Sequence, residues 1–248
     1  MSLWSLLVLS ALPGAGNLAG GLIAEFGATT ERHLNWALHA ASGIVIAIVA
    51  VELMPEALRS LPGWWIAAAF GAGGVSYVVV ESAIKKLERN GEGSRSRMWM
   101  IYVAVAVDLT SDGMMLGSGA SVSGSLAIAL AAGQVLADVP EGYAAVANFR
   151  NNGVPRATRV ILSASFILFS VGAALMSFLV LRSAGSHFQM AALSFIAGLL
   201  SVAAVEDMIE EAHQASSDSA GSTVAFVGGF VLFTLVSAGL ESMLAQGG

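Results

Sequence analysis

The sequence predicts an all-α polytopic membrane protein of eight transmembrane helices, with spans 1–3 and 6–8 arranged as inverted repeats around a central pair, spans 4 and 5. Three observations predict it. Apolar residues make up 56% of the 248 positions, only 11% are charged, and the mean hydropathy is +0.77, more than one soluble core can absorb. The apolar residues fall into eight runs of the roughly 20 residues that a helical span needs. The runs are rich in Ala, Leu, Val and Gly and lack the strict alternation of barrel strands, so the spans are helices.

Taken in order, the spans cover about 3–24, 36–57, 62–84, 98–120, 123–149, 157–182, 187–211 and 222–244. They leave residues 1–248 as a single transmembrane domain with a polar cytoplasmic loop at about 86–97. The first run has no Lys or Arg before it and continues past Pro13 to Ile23, so it reads as a mature helix rather than a signal peptide. One side of the membrane receives Arg32, Lys85, Lys86, Arg89, Arg95, Arg97, Arg150, Arg156 and Arg159, the other only Arg59 and Arg182. The positive-inside rule makes the first side the cytoplasm and puts both termini outside. Trp36 and Trp99 then fall at the inner interface and Trp4, Trp64 and Trp65 at the outer one, as an aromatic belt requires. The basic 85–97 segment reads as an ordinary cytoplasmic loop, so no nucleic-acid partner is expected; the partner the composition demands is the lipid bilayer. The expected location is a cell (inner) membrane of bacterial or archaeal type.

Span two ends in VAVELMPEAL and span seven in VAAVEDMIEEAH, and aligning Val51-Glu52 with Val205-Glu206 superposes Met54 on Met208 and Glu56 on Glu210. The two spans run in opposite directions, so the same acidic signature caps opposite faces. Spans three and eight end alike in Glu81-Ser82 and Glu241-Ser242, and Asp112-Gly113 in span four corresponds to Glu141-Gly142 in span five. Inverted repeats around a polar midplane site are a transporter signature.

The chemistry lies in spans four and five. Asp108 and Asp112 are four residues apart and share a helix face, and Gln134, Asp138 and Glu141 follow at intervals of four and three along one face of the next span. An ionised acid facing lipid costs about 2.5–3.5 kcal/mol even on the insertion scale. No Lys or Arg lies between Arg97 and Arg150 to neutralise these four. They therefore demand cations or protons. Pro140 lacks an N–H and is expected to break its helix, freeing the carbonyl of Leu136 beside the acids. The alternative is a structural role in which Thr110, Ser111, Gln134 or Asn148 satisfies the carboxylates. With no Cys in the chain and no His in either helix, the donors are hard oxygens, which suit Mn²⁺, Mg²⁺, Ca²⁺ or Fe²⁺ better than they select Zn²⁺. Metal arrival at crowded carboxyl groups would displace protons.

These stretches, GIVIAIVAVELMPEAL, DLTSDG, ADVPEGYAAVANFR and LSFIAGLLSVAAVEDMIEEAH, resemble the ZIP family of divalent-metal transporters over essentially the whole chain. The resemblance implies eight spans, outside termini, and a metal ion, Zn, Mn, Fe or Cd not distinguished, as the substrate. It also makes a homodimer the reasonable assembly. The family's span-four pattern, His-Asn-x-x-Asp/Glu, falls on Asp108, Leu109 and Asp112; its span-five pattern, His/Gln-Asn/Asp-x-Pro-Glu, falls on Ala137, Asp138 and Glu141. Asp108 replaces a histidine with another ligand, whereas Leu109 and Ala137 cannot bind metal. Span six carries no acid. The resemblance thus implies one site, Asp108, Asp112 and Glu141 with Asp138 nearby, and a degraded second one. Glu52 and Glu56 on the outside, and Glu206, Asp207, Glu210, Glu211 and His213 on the inside, are then expected to form vestibules, and Gln134 to line the pathway. His39 reads as a hydrogen-bonded packing residue.

The expected function is a transporter, not an enzyme, moving a divalent cation toward the cytoplasm by alternating access. A selective channel and a non-transporting metal sensor are the nearest alternatives. An intramembrane aspartyl enzyme pairing Asp108 with Asp138 is a distant one, because neither a Gly-Asp dipeptide nor a paired-histidine metalloprotease helix is present.

Overall fold

The computed structural model describes residues 1–27, 30–88, 94–209 and 220–246. Among the described residues there are eight long helices and no strands. They are α1 (Leu3–Phe26), α2 (Glu31–Ser60), α3 (Gly63–Glu88), α4 (Ser94–Val122), α5 (Gly124–Asn151), α6 (Arg156–Leu181), α7 (Ser186–Ala203, continued by a π-helical stretch Ala204–Ile209) and α8 (Ala220–Gln246). Seven are long and apolar enough to cross a membrane by length and composition; α5, which carries Gln134, Asp138 and Glu141, is not.

The outer surface explains why lipid must be the solvent. Trp4, Val8, Phe26, Trp64, Val75, Ile161, Leu168, Met176, Val224, Leu235 and Met243 are all exposed large apolar side chains on the helices. Such a continuous apolar exterior is untenable in water and ordinary in a bilayer, where each helix satisfies its own backbone. The chain is accordingly an integral membrane protein. α5 departs from that pattern because it is central, packed by α1, α2, α4, α6 and α8. Its polar residues are screened from lipid by other helices.

Local signals set the helix boundaries. Ser2, Thr30 and Ser123 each accept a hydrogen bond from a backbone N–H three residues on, capping α1, α2 and α5. Gly153, with φ at 72°, makes the left-handed turn between α5 and α6 that a Cβ would disfavour. The polar 86–97 segment is shorter as a loop than its composition suggests: α3 runs to Glu88 and α4 starts at Ser94, because Lys, Glu and Arg are good helix formers and prolong each helix beyond its apolar run.

Close packing is achieved by glycine notches, since helices in lipid associate through van der Waals contact and small residues let backbones approach. A Cβ on Gly20 would collide with the carbonyl of Val139, and one on Gly142 with that of Asn17, so α1 and α5 interlock reciprocally. Gly43 meets the carbonyl of Phe226 and Gly229 that of Ala40, joining α2 to α8. Gly73 meets the carbonyl of Phe195 and Gly198 that of Phe70, joining α3 to α7 in the same way. Gly113 and Gly117 lie on the carbonyls of Ser170 and Ala174, joining α4 to α6.

Two helices are locally unwound. In α2 the stretch Ile48–Leu53 is π-helical, immediately before Pro55, whose missing N–H leaves a ladder position unfilled. In α7 the π-helical stretch begins at Ala204, whose carbonyl accepts a hydrogen bond from Ser42 Oγ at 3.0 Å, so a side chain from α2 meets the ladder where it widens. Glu52 lies in the first π stretch and Glu206 and Asp207 in the second. α5 is different: it passes through Pro140 as an uninterrupted α-helix, so the expected break at that proline does not occur. Packing on several sides holds the helix together across one missing hydrogen bond.

Candidate metal centre

The four central acids lie between two apolar clusters. Along α4, Leu109 belongs to a cluster with Ala24, Phe149 and Phe166, and Met115 and Leu116 belong to another with Ile48, Leu130 and Phe233. Asp112 falls between them. On α5, Asp138 likewise falls between Leu130 and Phe149. The acids therefore form a polar layer closed above and below by hydrocarbon.

Within this layer, Gln134 Nε2 donates to Asp112 Oδ1. The carboxyl group of Asp112 is within hydrogen-bonding reach of that of Asp138, and Asp108 is within reach of Glu141. The expected convergence of the α4 and α5 faces is thus present as two carboxyl–carboxyl pairs. Burial distinguishes them. Asp112 is 3% exposed and Asp138 0%, whereas Asp108 and Glu141 are half-buried.

Asp138 is the sharpest feature. Neither of its oxygens has a hydrogen-bond donor, and Gln134 Oε1 is also unpartnered. Carboxylates only accept, so the Asp112–Asp138 contact becomes a hydrogen bond only when one of the two holds a proton. Burying an ionised carboxylate without a partner is prohibitive, and the neighbouring hydroxyls give no help. Thr110 Oγ1 donates to the carbonyl of Ala106 at 2.7 Å and Ser111 Oγ to that of Val107 at 3.1 Å, both within their own helix. Of the groups that could have made these acids structural, Gln134 alone is seen donating to one of them. The layer needs protons or a cation.

Among the described residues, no three Asp, Glu, His or Cys side chains surround a common metal position in this conformation. A cation held by this layer must draw the two carboxyl pairs together. Leu109 and Ala137, at 0% and 1% exposure, are packed into the flanking apolar clusters.

The remaining predicted residues are dispersed. Glu52 accepts from Ser237 Oγ of α8, and Glu56 is paired with Arg59 at 3.5 Å on the surface. Glu206 is exposed in the π stretch of α7, which also contains Asp207; Glu210, Glu211 and His213 lie outside the described residues. His39 is buried, with Nδ1 2.9 Å from the carbonyl of Asn35, in the packing role expected of it.

Two features were missed by sequence reasoning. Glu25 at the end of α1 takes a two-pronged contact from Arg159 of α6, at 2.8 Å from Nε and 2.6 Å from Nη2, with Arg156 at 3.3 Å. Its signal was available: a single acid ends span one opposite the bases that open span six. The other is Asn17 on α1, 0% exposed, with neither Oδ1 nor Nδ2 partnered. One amide in an apolar span carries no pattern.

Compared with protein-family models and with curated proteins, the chain matches none.

Proposed function

We propose that this integral membrane protein is a divalent-metal transporter of the ZIP type, carrying the cation toward the cytoplasm by alternating access through Asp108, Asp112, Asp138 and Glu141. The observation that carries the reading is Asp138, wholly buried beside Asp112 with no donor to either oxygen. A site that no basic side chain neutralises has its charge balanced by exchangeable partners. Protons supply the balance when the metal is away, and a divalent ion replaces them when it arrives.

Alternating access is supported by the mirrored packing. The notch-locked pair α1·α5 has its counterpart in α4·α6, and α2·α8 in α3·α7. The two π stretches fall on the Val-Glu signatures of α2 and α7. This is the pattern of an inverted repeat, spans 1–3 against 6–8 about the α4·α5 pair, and it lets one sequence plan open to either side. π-Helical turns often mark functional positions, and both of these carry vestibule acids.

The test is uptake by proteoliposomes loaded with a metal-sensitive dye, using Mn²⁺, Fe²⁺, Zn²⁺, Cd²⁺, Mg²⁺ and Ca²⁺ at two pH values, for the native chain and Glu141→Gln. Saturable uptake that is lost in the variant supports transport. Flux that never saturates points to a channel, and stoichiometric binding with no uptake points to a sensor.

A further inference from the structure

We propose that Asn17 of α1 is a fifth side chain of the cation site, contributing its amide oxygen, and that with Gln134 it makes the site one for a six-coordinate, oxygen-preferring cation. This rests on the cation-site reading above. The resemblance and the acid pattern direct attention only to α4 and α5, yet the structure brings α1 against the acids. A Cβ on Gly16 would sit 3.3 Å from the Cβ of Asp138, and one on Gly142, next to Glu141, would sit 2.7 Å from the Cα of Asn17. Asn17 is therefore held at the level of Asp138 and Glu141 by two glycine contacts on either side of it. It is fully buried, and both polar atoms of its amide lack partners.

A buried amide is seldom left unmatched at both ends. Its two ends suit the two conditions of the site. Nδ2 can donate to a carboxylate when the metal is away, and Oδ1 is a neutral hard donor when it is present. Gln134 repeats the arrangement from α5: its Nε2 is engaged with Asp112 and its Oε1 is unpartnered. Four carboxylates alone over-neutralise a divalent ion. Two amide oxygens raise the ligand number to six without adding charge. Six oxygens match Mn²⁺, and Ca²⁺ and Mg²⁺ also take such ligands, whereas Zn²⁺ prefers four with nitrogen or sulfur among them.

The experiment measures Mn²⁺ and Zn²⁺ binding to the purified full chain in detergent by equilibrium dialysis with elemental analysis. Asn17→Ala is expected to weaken Mn²⁺ by at least about tenfold, the lower end of what loss of a supporting group costs a metal site, and to affect Zn²⁺ less. Asn17→Asp, which keeps an oxygen in place, is expected to restore Mn²⁺ binding. Native Mn²⁺ affinity in Asn17→Ala, together with loss in Glu141→Gln, overturns the role of Asn17 and leaves the carboxylate site standing. Failure of the native chain to bind either metal overturns both readings. Should Asn17→Ala not fold, the native protein decides the question: Mn²⁺ is expected to broaden the side-chain amide NMR signal of Asn17, and a signal that stays sharp at saturating Mn²⁺ overturns the proposal.

Discussion

Asp138→Asn should make the metal-free protein more stable and useless as a metal carrier. The substitution keeps the shape of the side chain and replaces two donor-less oxygens with an amide. Its nitrogen can donate to the Asp112 carboxyl group, which lies within hydrogen-bonding reach. A hydrogen bond to a charged group is worth about 1.5–3 kcal/mol, and the unmet acceptor it removes carries a penalty of similar size. Allowing for imperfect geometry, a gain of about 2 kcal/mol is expected, or about 4–8 °C in melting temperature for a chain of this size. Metal should act in the opposite sense. The native chain at a hundred times its dissociation constant gains about 2.7 kcal/mol from the ligand, and the variant gains almost none. Thermal unfolding in detergent with and without Mn²⁺, alongside liposome uptake, reads both effects. A variant that is less stable without metal, or that still takes up Mn²⁺ at the native rate, would refute the claim that Asp138 is kept for its cation.

Three other outcomes follow from the packing. Glu25→Gln leaves the Arg159 guanidinium, 12% exposed, without its carboxylate, and should cost about 3 kcal/mol in thermal unfolding, of which Arg159→Gln in the same chain should recover a part. Gly142→Ala places a methyl group against the backbone of Asn17, which cannot swing aside, so a loss of about 3 kcal/mol is expected together with weakened Mn²⁺ binding as α1 is pushed from α5. Leu109→Asn puts the ZIP-type residue back, but at a fully buried position in the cluster of Ala24, Phe149 and Phe166; it should destabilise by about 3 kcal/mol and add no second metal to the stoichiometry.

The helices were readable because lipid imposes a length and a composition on each of them, and the acids of α4 and α5 were readable because they violate that composition. Their spacing, four residues from Asp108 to Asp112 and seven from Gln134 to Glu141, assigns each set to one helix face, and the two faces do meet. What the spacing lacks is the third dimension. Asn17 is separated from Asp138 by 121 positions and reaches it only because glycines on both helices let their backbones touch, a relation that no periodicity within either helix encodes. Pro140 misled for a related reason: its local rule predicts a break, but a helix gripped by neighbours on several sides keeps its course, and the strain seen in the backbone lies instead in α2 and α7 beside Glu52 and Glu206. Rigidity at the acids and widened turns near the vestibules suit one task. The site that must discriminate among cations is held by an unbroken helix locked to α1, while the segments able to change their hydrogen-bond register stand nearer the two faces of the membrane, where a path has to open and close.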